Sequence, residues 1–240
     1  TGPFPPSAGG SRYDIKMVDD YSGKTFGAKV ARKTQLPASV KSHVASLKGK
    51  GKQVKYIRCD NAGEQQKELD EVCREFGITL EKVAPNTPQM NGKVERKIVM
   101  DRSRALAMLI DARLSPMAQD LLRAEAEATA EKVSNIVCTP NQDKSPNEKF
   151  DGKPSKLTPE YLIEWGRIGY ITNRTKIKKK WSVKSSPAMM VGYADDHAPD
   201  VYRMFKLDTQ MVVSTRDIQW ANWKVIDPAD ALRIFQNAEE

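Results

Sequence analysis

Residues 54–64, VKYIRCDNAGE, constrain this chain more than any other stretch. VKYIRC (54–59) reads as a strand, and Asp60 stands at its carboxyl end. From about Gln65 to Phe76 the spacing predicts a helix: Leu69, Val72, Cys73 and Phe76 fall at i, i+3, i+4 and i+7, and Gly77 stops it. ITLEKVA (78–84) reads as a further strand. Strands alternating with helices at this spacing predict an α/β fold. Ligands of open α/β sheets gather beyond the carboxyl ends of strands, which makes Asp60 a candidate site residue. The structural alternative is a helix cap or turn former, the commoner job of an Asp after a strand.

The flanking sequence extends the pattern. Residues 1–12 are rich in Pro, Gly and Ser and read as a loop. YDIKMVDDYSGKTFGAKVAR (13–32) predicts a strand hairpin turning at Ser22-Gly23. A helix is expected from about Thr34, as N-cap, to Lys48, with Leu36, Val40, Val44 and Leu47 as its apolar stripe. The polar loop PNTPQMNG leads into a long helix from about Gly92 to Asp111. Ser115-Pro116 opens the next, with Leu122, Ala126, Ala130, Val133 and Val137 on one face. Turn formers dominate 138–165. Residues 167–184 hold seven basic residues and no acid. Short strands are expected at 187–193, 201–207, 211–215 and 217–220, which suggests a small barrel or meander. The last stretch, from Asp227, has a helical pattern. The expected division is a core at 1–137, a connector at 138–166, a basic segment with a small β domain at 167–224, and a tail at 225–240.

Composition narrows the partners. The 240 residues are 39% apolar, enough for one sizeable core and a small second one. No apolar run approaches the ~20 residues that cross a bilayer, so no membrane partner is expected. The first ten residues, TGPFPPSAGG, carry no secretory signal. Cys59, Cys73, Cys138, His43 and His197 are scattered, which predicts neither a disulfide framework nor a zinc site. A reducing compartment is the simplest setting. A net charge of +8 favours a polyanion.

Glu95 is the second candidate acid. It falls in the first turn of the 92–111 helix, among Lys93, Arg96 and Lys97, where a helix N-terminus and cations together attract phosphate. A Glu there can also simply offset the helix dipole. Phosphodiester transfer needs an activated nucleophile and a stabilised leaving oxygen, and two divalent ions about 3.5–4 Å apart supply both. Mg²⁺ takes carboxylate oxygens, one or two per ion, so such a site draws acids from separate elements.

Taken together, Asp60-Asn61-Ala62-Gly63-Glu64 and Pro85-x-Thr87-Pro88-Gln89-x-Asn91-Gly92-x-x-Glu95-Arg96 resemble the catalytic core of retroviral and retrotransposon integrases, most closely the Copia type. The hairpin YDIKMVDDYSGKTF, then Ser145-Pro146-x-Glu148 with Gly152-Lys153-Pro154, resemble further family segments. So do Met190-Val191-Gly192-Tyr193, Tyr202-Arg203 and Ser214-x-Arg216-Asp217, from the family's small C-terminal barrel. The resemblance spans about Gly2 to Trp220. It implies a ribonuclease-H-like mixed sheet flanked by helices, followed by an SH3-like β-barrel. It also implies an Asp-Asp-Glu triad binding Mg²⁺ (or Mn²⁺), trimming of element DNA 3′ ends and their transfer into target DNA. Asp60 matches the second acid and Glu95 the third. Asn61, Gln89, Asn91, Lys93, Arg96 and Lys97 fall where the family approaches DNA, and Arg174, Lys176, Lys178, Lys179 and Lys180 are expected to grip its backbone. Self-association into a homo-oligomer and action on chromosomal DNA in the nucleus, after synthesis in the cytoplasm, follow from the same resemblance.

The chain also departs from that family. The first acid precedes a Gly-Pro turn, and Gly2-Pro3 places it two residues before Thr1. Residues 1–240 are therefore expected to be an inactive fragment, lacking a strand between the hairpin and the strand before Asp60. Asp14, Asp19 and Asp20 are the possible substitutes within the chain. Ala62 stands where the family mostly has Gly, and the acids are 95 − 60 = 35 positions apart, one fewer than usual. The alternatives are a relic or domesticated protein that binds DNA without cutting it and, less well matched to Asn91-Gly92-x-x-Glu95, a ribonuclease H.

Overall fold

The computed structural model describes residues 1–59, 66–82, 92–138, 142–172 and 185–221. The fold is mixed α/β. Strands β1 (Tyr13–Val18) and β2 (Thr25–Val30) form the antiparallel hairpin, with Tyr13 opposite Val30 and Val18 opposite Thr25. Asp19 builds the turn between them: its Oδ2 accepts from the Ser22 N–H at 2.8 Å and from the Ser22 hydroxyl at 2.6 Å. A 3₁₀ turn at Lys33–Gln35 precedes α1 (Leu36–Gly49). Thr34 therefore lies inside that turn and is not the cap; Gln35 is, with Pro37 supplying the fixed φ of a helical first turn.

Strand β3 (Tyr56–Cys59), helix α2 (Gln66–Phe76) and strand β4 (Thr79–Lys82) follow, and β3 and β4 pair in parallel. Val40, Val44, Leu69, Val72, Cys73 and Ile78 are buried together, with Met17, Ile57 and Leu80 packed against them. This cluster seats α1 and α2 on the strands. The four strands make two separate two-stranded sheets. Beyond β2, the described pairing to β1 is Thr1, whose N donates to Asp14 O at 2.6 Å and whose O accepts from Asp14 N at 2.9 Å.

Helices α3 (Gly92–Asp111) and α4 (Pro116–Ile136) pack along one another. Ser115 caps α4 through its hydroxyl, which accepts from the Ala118 N–H at 3.3 Å. The turn-rich stretch after α4 contains α5 (Pro146–Asp151), opened by a reciprocal box: Ser145 accepts from the Glu148 N–H, and Glu148 accepts from the Ser145 N–H.

The remaining strands are β5 (Ile168–Thr172), β6 (Ser185–Tyr193), β7 (Tyr202–Lys206), β8 (Val212–Thr215) and β9 (Ile218–Trp220). They form one antiparallel sheet ordered β8-β7-β6-β5-β9. Strand β5 lies within the stretch read from sequence as a basic segment. Its Ile168 and Ile171 are buried, a signal too short to stand out beside the lysines that follow. Helix α4 crosses the sheet over β6. Leu122, Ala126 and Ala130 share a core with Met190, Val191, Met204 and Phe205. The Thr129 hydroxyl and the Trp165 indole N–H both donate to Val191 O, at 2.8 and 3.1 Å.

Candidate nucleic-acid and metal site

Glu95 stands in the first turn of α3, exposed, and has no ion pair or hydrogen bond to a described residue. A carboxylate at that position has its charge supported by the helix dipole and its oxygens open to a ligand. Asp60 and Asn61 directly follow β3, whose last residue is Cys59, and lie outside the described residues, as do Gln89 and Asn91. Arg174, Lys176, Lys178, Lys179 and Lys180 lie outside them too.

The three described basic residues around Glu95 have different environments. Lys93 is exposed and reaches the hairpin turn, where its Nζ donates to Asp20 Oδ1 at 2.5 Å and to Asp20 O at 2.9 Å. That hydrogen bond and charge hold the Asp20 carboxyl below its usual range. Arg96 is exposed. Lys97 is half-buried, and burial lowers its pKa, with Asp101 opposing and Arg104 and Lys16 reinforcing the shift. Arg96 is thus the cation of this turn most open to an anion, while Lys93, equally exposed, shares its charge with Asp20.

The inner face of α3 carries a polar network that the sequence did not announce. Asp101 is fully buried and accepts from Lys16 Nζ at 2.6 Å and from the Ser134 hydroxyl at 2.7 Å. Arg104 donates to Ser134. Lys16 also lies 3.6 Å from Glu131 Oε2. Burial pulls the Lys16 pKa down, but the hydrogen bond and charge of Asp101 outweigh it and leave it raised. Glu131 is raised by burial, despite Lys16 and Lys29. A second group joins Lys29 to Asp14 at 2.7 Å and to Glu127 at 3.0 Å, with Arg123 on Glu127 at 3.1 Å. These contacts fix the hairpin on α3 and α4, and so set the position of the turn that meets Lys93.

The three acids considered as substitutes for a first metal ligand are each otherwise engaged. Asp14 is buried and paired with Lys29, Asp19 builds the hairpin turn, and Asp20 holds Lys93. Among the described residues no three His, Cys, Asp or Glu converge on a point that could hold a metal ion. The chemistry of the two candidate acids does fit such an ion. Both are carboxylates, the hard donors Mg²⁺ prefers, and Glu95 has no competing partner among the described residues.

No family model matches the chain. A curated relative is the retrovirus-related Pol polyprotein from transposon TNT 1-94 of Nicotiana tabacum, 25% identical over 235 residues. The match covers 96% of this chain but 17% of that polyprotein. Among solved structures, a chain of the simian T-cell lymphotropic virus intasome in complex with PP2A regulatory subunit B56 gamma aligns over 88% of this chain and 70% of its own length, at 19% identity and a TM-score of 0.48. The catalytic core domain of BIV integrase aligns over 58% of this chain and 86% of its own, at 20% identity and a TM-score of 0.43. By sequence, then, the chain is a relative of a retrotransposon Pol polyprotein, and the part of such polyproteins that its motifs match is the Copia-type integrase core.

Proposed function

We propose that this chain is the catalytic region of a retrotransposon integrase, which trims the 3′ ends of element DNA and transfers them into target DNA. The observation that carries this reading is the ordered series from Asp60 to Glu95, ending on an exposed carboxylate in the first turn of a long helix. Asp60 and Glu95 would hold Mg²⁺ (or Mn²⁺) together with a third acid. Such an ion would supply charge stabilisation for phosphodiester transfer. Lys93 and Arg96 orient the phosphates at the α3 N-terminus. Arg174, Lys176, Lys178, Lys179 and Lys180 grip the DNA backbone without choosing sequence. The protein works as a homo-oligomer, in the nucleus.

The test uses the protein expressed from its element's full reading frame, with a duplex carrying the element ends and a plasmid target. Glu95→Gln is expected to remove joining altogether and to leave DNA affinity within about threefold, because the loss is confined to the transition state. Equal loss of joining and binding would overturn the ligand role of Glu95. A wild-type protein that binds DNA but never joins it would favour the non-catalytic reading. Replacing Lys178, Lys179 and Lys180 with Ala is expected to weaken binding to every sequence and to flatten the slope of log K against log salt by up to about 3, since each phosphate contact contributes about 0.9. An unchanged slope would remove those residues from the interface.

A further inference from the structure

Residues 21–59 hold ten Lys and Arg and no Asp or Glu. The rest of the chain then has 39 − 10 = 29 cations against 31 acids, so this stretch carries the whole positive surplus. Four of the ten are engaged: Lys24 with Asp151, Lys29 with Asp14 and Glu127, Lys41 with Glu75, and Arg58 with Glu81. Lys48, Lys50 and Lys55 are exposed and form no ion pair with a described residue. Lys52 is half-buried, donates from Nζ to Phe150 O, and lies 4.4 Å from the centre of the Phe150 ring.

The loop that carries these lysines is fixed. Gly51, at φ 72°, ends α1: its N–H donates to Lys48 O and the Lys52 N–H donates to Leu47 O, both at 3.0 Å. A lysine at a helix carboxyl end can simply offset the helix dipole. That dipole amounts to about half a charge, which Lys48 alone exceeds. Lys52 ties the loop to the end of α5, and Lys149 and Lys153 come with it. The acids of that element are turned elsewhere: Glu148 accepts from the Ser145 N–H, and Asp151 accepts from Lys24. His43, two turns back from Lys50 on α1, feels the same cations. Burial holds its pKa below the usual value, and Lys50 and Lys24 push it the same way. A field that disfavours a further cation attracts a polyanion.

We propose that Lys48, Lys50, Lys52 and Lys55, with Lys153 at their edge, form a second surface for the DNA backbone, additional to Lys93 and Arg96 and to residues 174–180. Taking DNA as the polyanion rests on the integrase reading; the cationic surface itself does not. Ammonium groups meet phosphates as point charges, so this surface holds a duplex without choosing sequence. The hairpin turn joins it to the start of α3, since Asp20 holds Lys93 and Lys24 holds Asp151.

Titration of the 240-residue chain with a random-sequence duplex over a range of salt concentrations tests this. Lys48→Gln/Lys50→Gln/Lys55→Gln is expected to make the slope of log K against log salt shallower by about 2 to 3, since each lost phosphate contact removes about 0.9. Lys52 is left in place because it packs on Phe150. Arg at the same three positions should keep the wild-type slope, because the charge is preserved. Adding Ala at Lys178, Lys179 and Lys180 to the Gln variant should sum the two losses. Wild-type binding with an unchanged slope in the Gln variant would overturn this surface and leave the integrase reading standing. An equal loss in the Arg variant would also overturn it, because packing rather than charge would be the cause. A combined loss no larger than either alone would mean one surface instead of two. A wild-type chain that binds no duplex would sink this surface and the DNA reading together. Stronger retention on phosphatidylserine vesicles than on DNA, lost in the Gln variant, would assign the lysines to a lipid headgroup and refute DNA as their ligand.

Discussion

The hairpin β1–β2 and the sheet β5–β9 both lean on α4, one mainly through polar groups and the other mainly through apolar ones. The hairpin meets α3 and α4 chiefly through polar groups: Lys16 with Asp101 and Glu131, Lys29 with Glu127, and the Thr25 backbone with the Asn135 amide. The sheet meets α4 chiefly through Met190, Val191, Met204 and Phe205, which are fully buried among Leu122, Ala126 and Ala130, with the Arg203–Glu125 ion pair beside them. Apolar packing supplies attraction in proportion to the area covered and tolerates small slips. A buried ion pair gains little net energy, because desolvation offsets the Coulomb attraction, but it penalises every arrangement that leaves one charge alone. The hairpin is therefore positioned by specificity and the sheet by adhesion.

The largest effects separate these two modes. Phe205→Ala is expected to cost about 3–5 kcal/mol by opening a cavity in the dry core. Lys16→Met is expected to cost a similar 3–5 kcal/mol, for a different reason: it strands the Asp101 carboxylate with the Ser134 hydroxyl as its remaining hydrogen-bond donor. Urea midpoints of Lys16→Met/Asp101→Leu distinguish the mechanisms. If the cost is an orphaned charge, the double variant regains most of the stability. A double variant no more stable than Lys16→Met would mean that the pair attracts outright, and the contrast between hairpin and sheet would fail.

A smaller effect depends on pH. Glu131 is held above its ordinary pKa by burial, with Asp14 and Asp101 adding to the shift and Lys16 and Lys29 opposing it. A group that binds its proton more tightly when folded destabilises the fold progressively as pH rises from its unfolded pKa to its folded one. Glu131→Gln removes that penalty. Its stability relative to wild type is expected to improve as pH rises from about 4.5 through the folded pKa, then level off. Denaturation midpoints measured between pH 4 and 8 check this, and a constant difference would mean that the fold does not oppose this ionisation. Glu127 runs the other way: burial would raise it, but Lys29 and Arg123 prevail and lower it. Its contribution is present above the unfolded pKa and is lost as pH falls through the folded one.

Apolar periodicity carried much of the fold. It located α1, α2, the hairpin and the four later strands, and the Gly92 and Ser115-Pro116 signals placed the starts of α3 and α4. It also placed Glu95 in a first turn. Periodicity is silent on the hairpin's mode of attachment, because Lys16, Lys29, Asp101 and Glu127 read as surface residues until their partners, 85 to 98 positions away, are known. Helix α5 was missed for a related reason. Six residues are too few for a helical stripe, although its Ser145-to-Glu148 box was visible. Strand β5 was hidden by charge counting across 167–184.

The smallest expected effect lies where the hairpin meets the candidate site. Lys93 and Asp20 are both largely exposed, so salt and water screen their 2.5 Å contact. Asp20→Asn is expected to change stability by no more than about 0.5 kcal/mol. Its consequence should appear in binding instead. Freed from the carboxylate, Lys93 becomes a full counter-charge for phosphate beside Glu95 and Arg96. DNA affinity of the variant is then expected to rise by about threefold at low salt, with the gain shrinking as salt increases. Affinity that is unchanged in the variant at every salt concentration would mean that Lys93 serves only to tie the turn to the helix. The polar contacts of the hairpin would then end at the edge of the site without reaching into it.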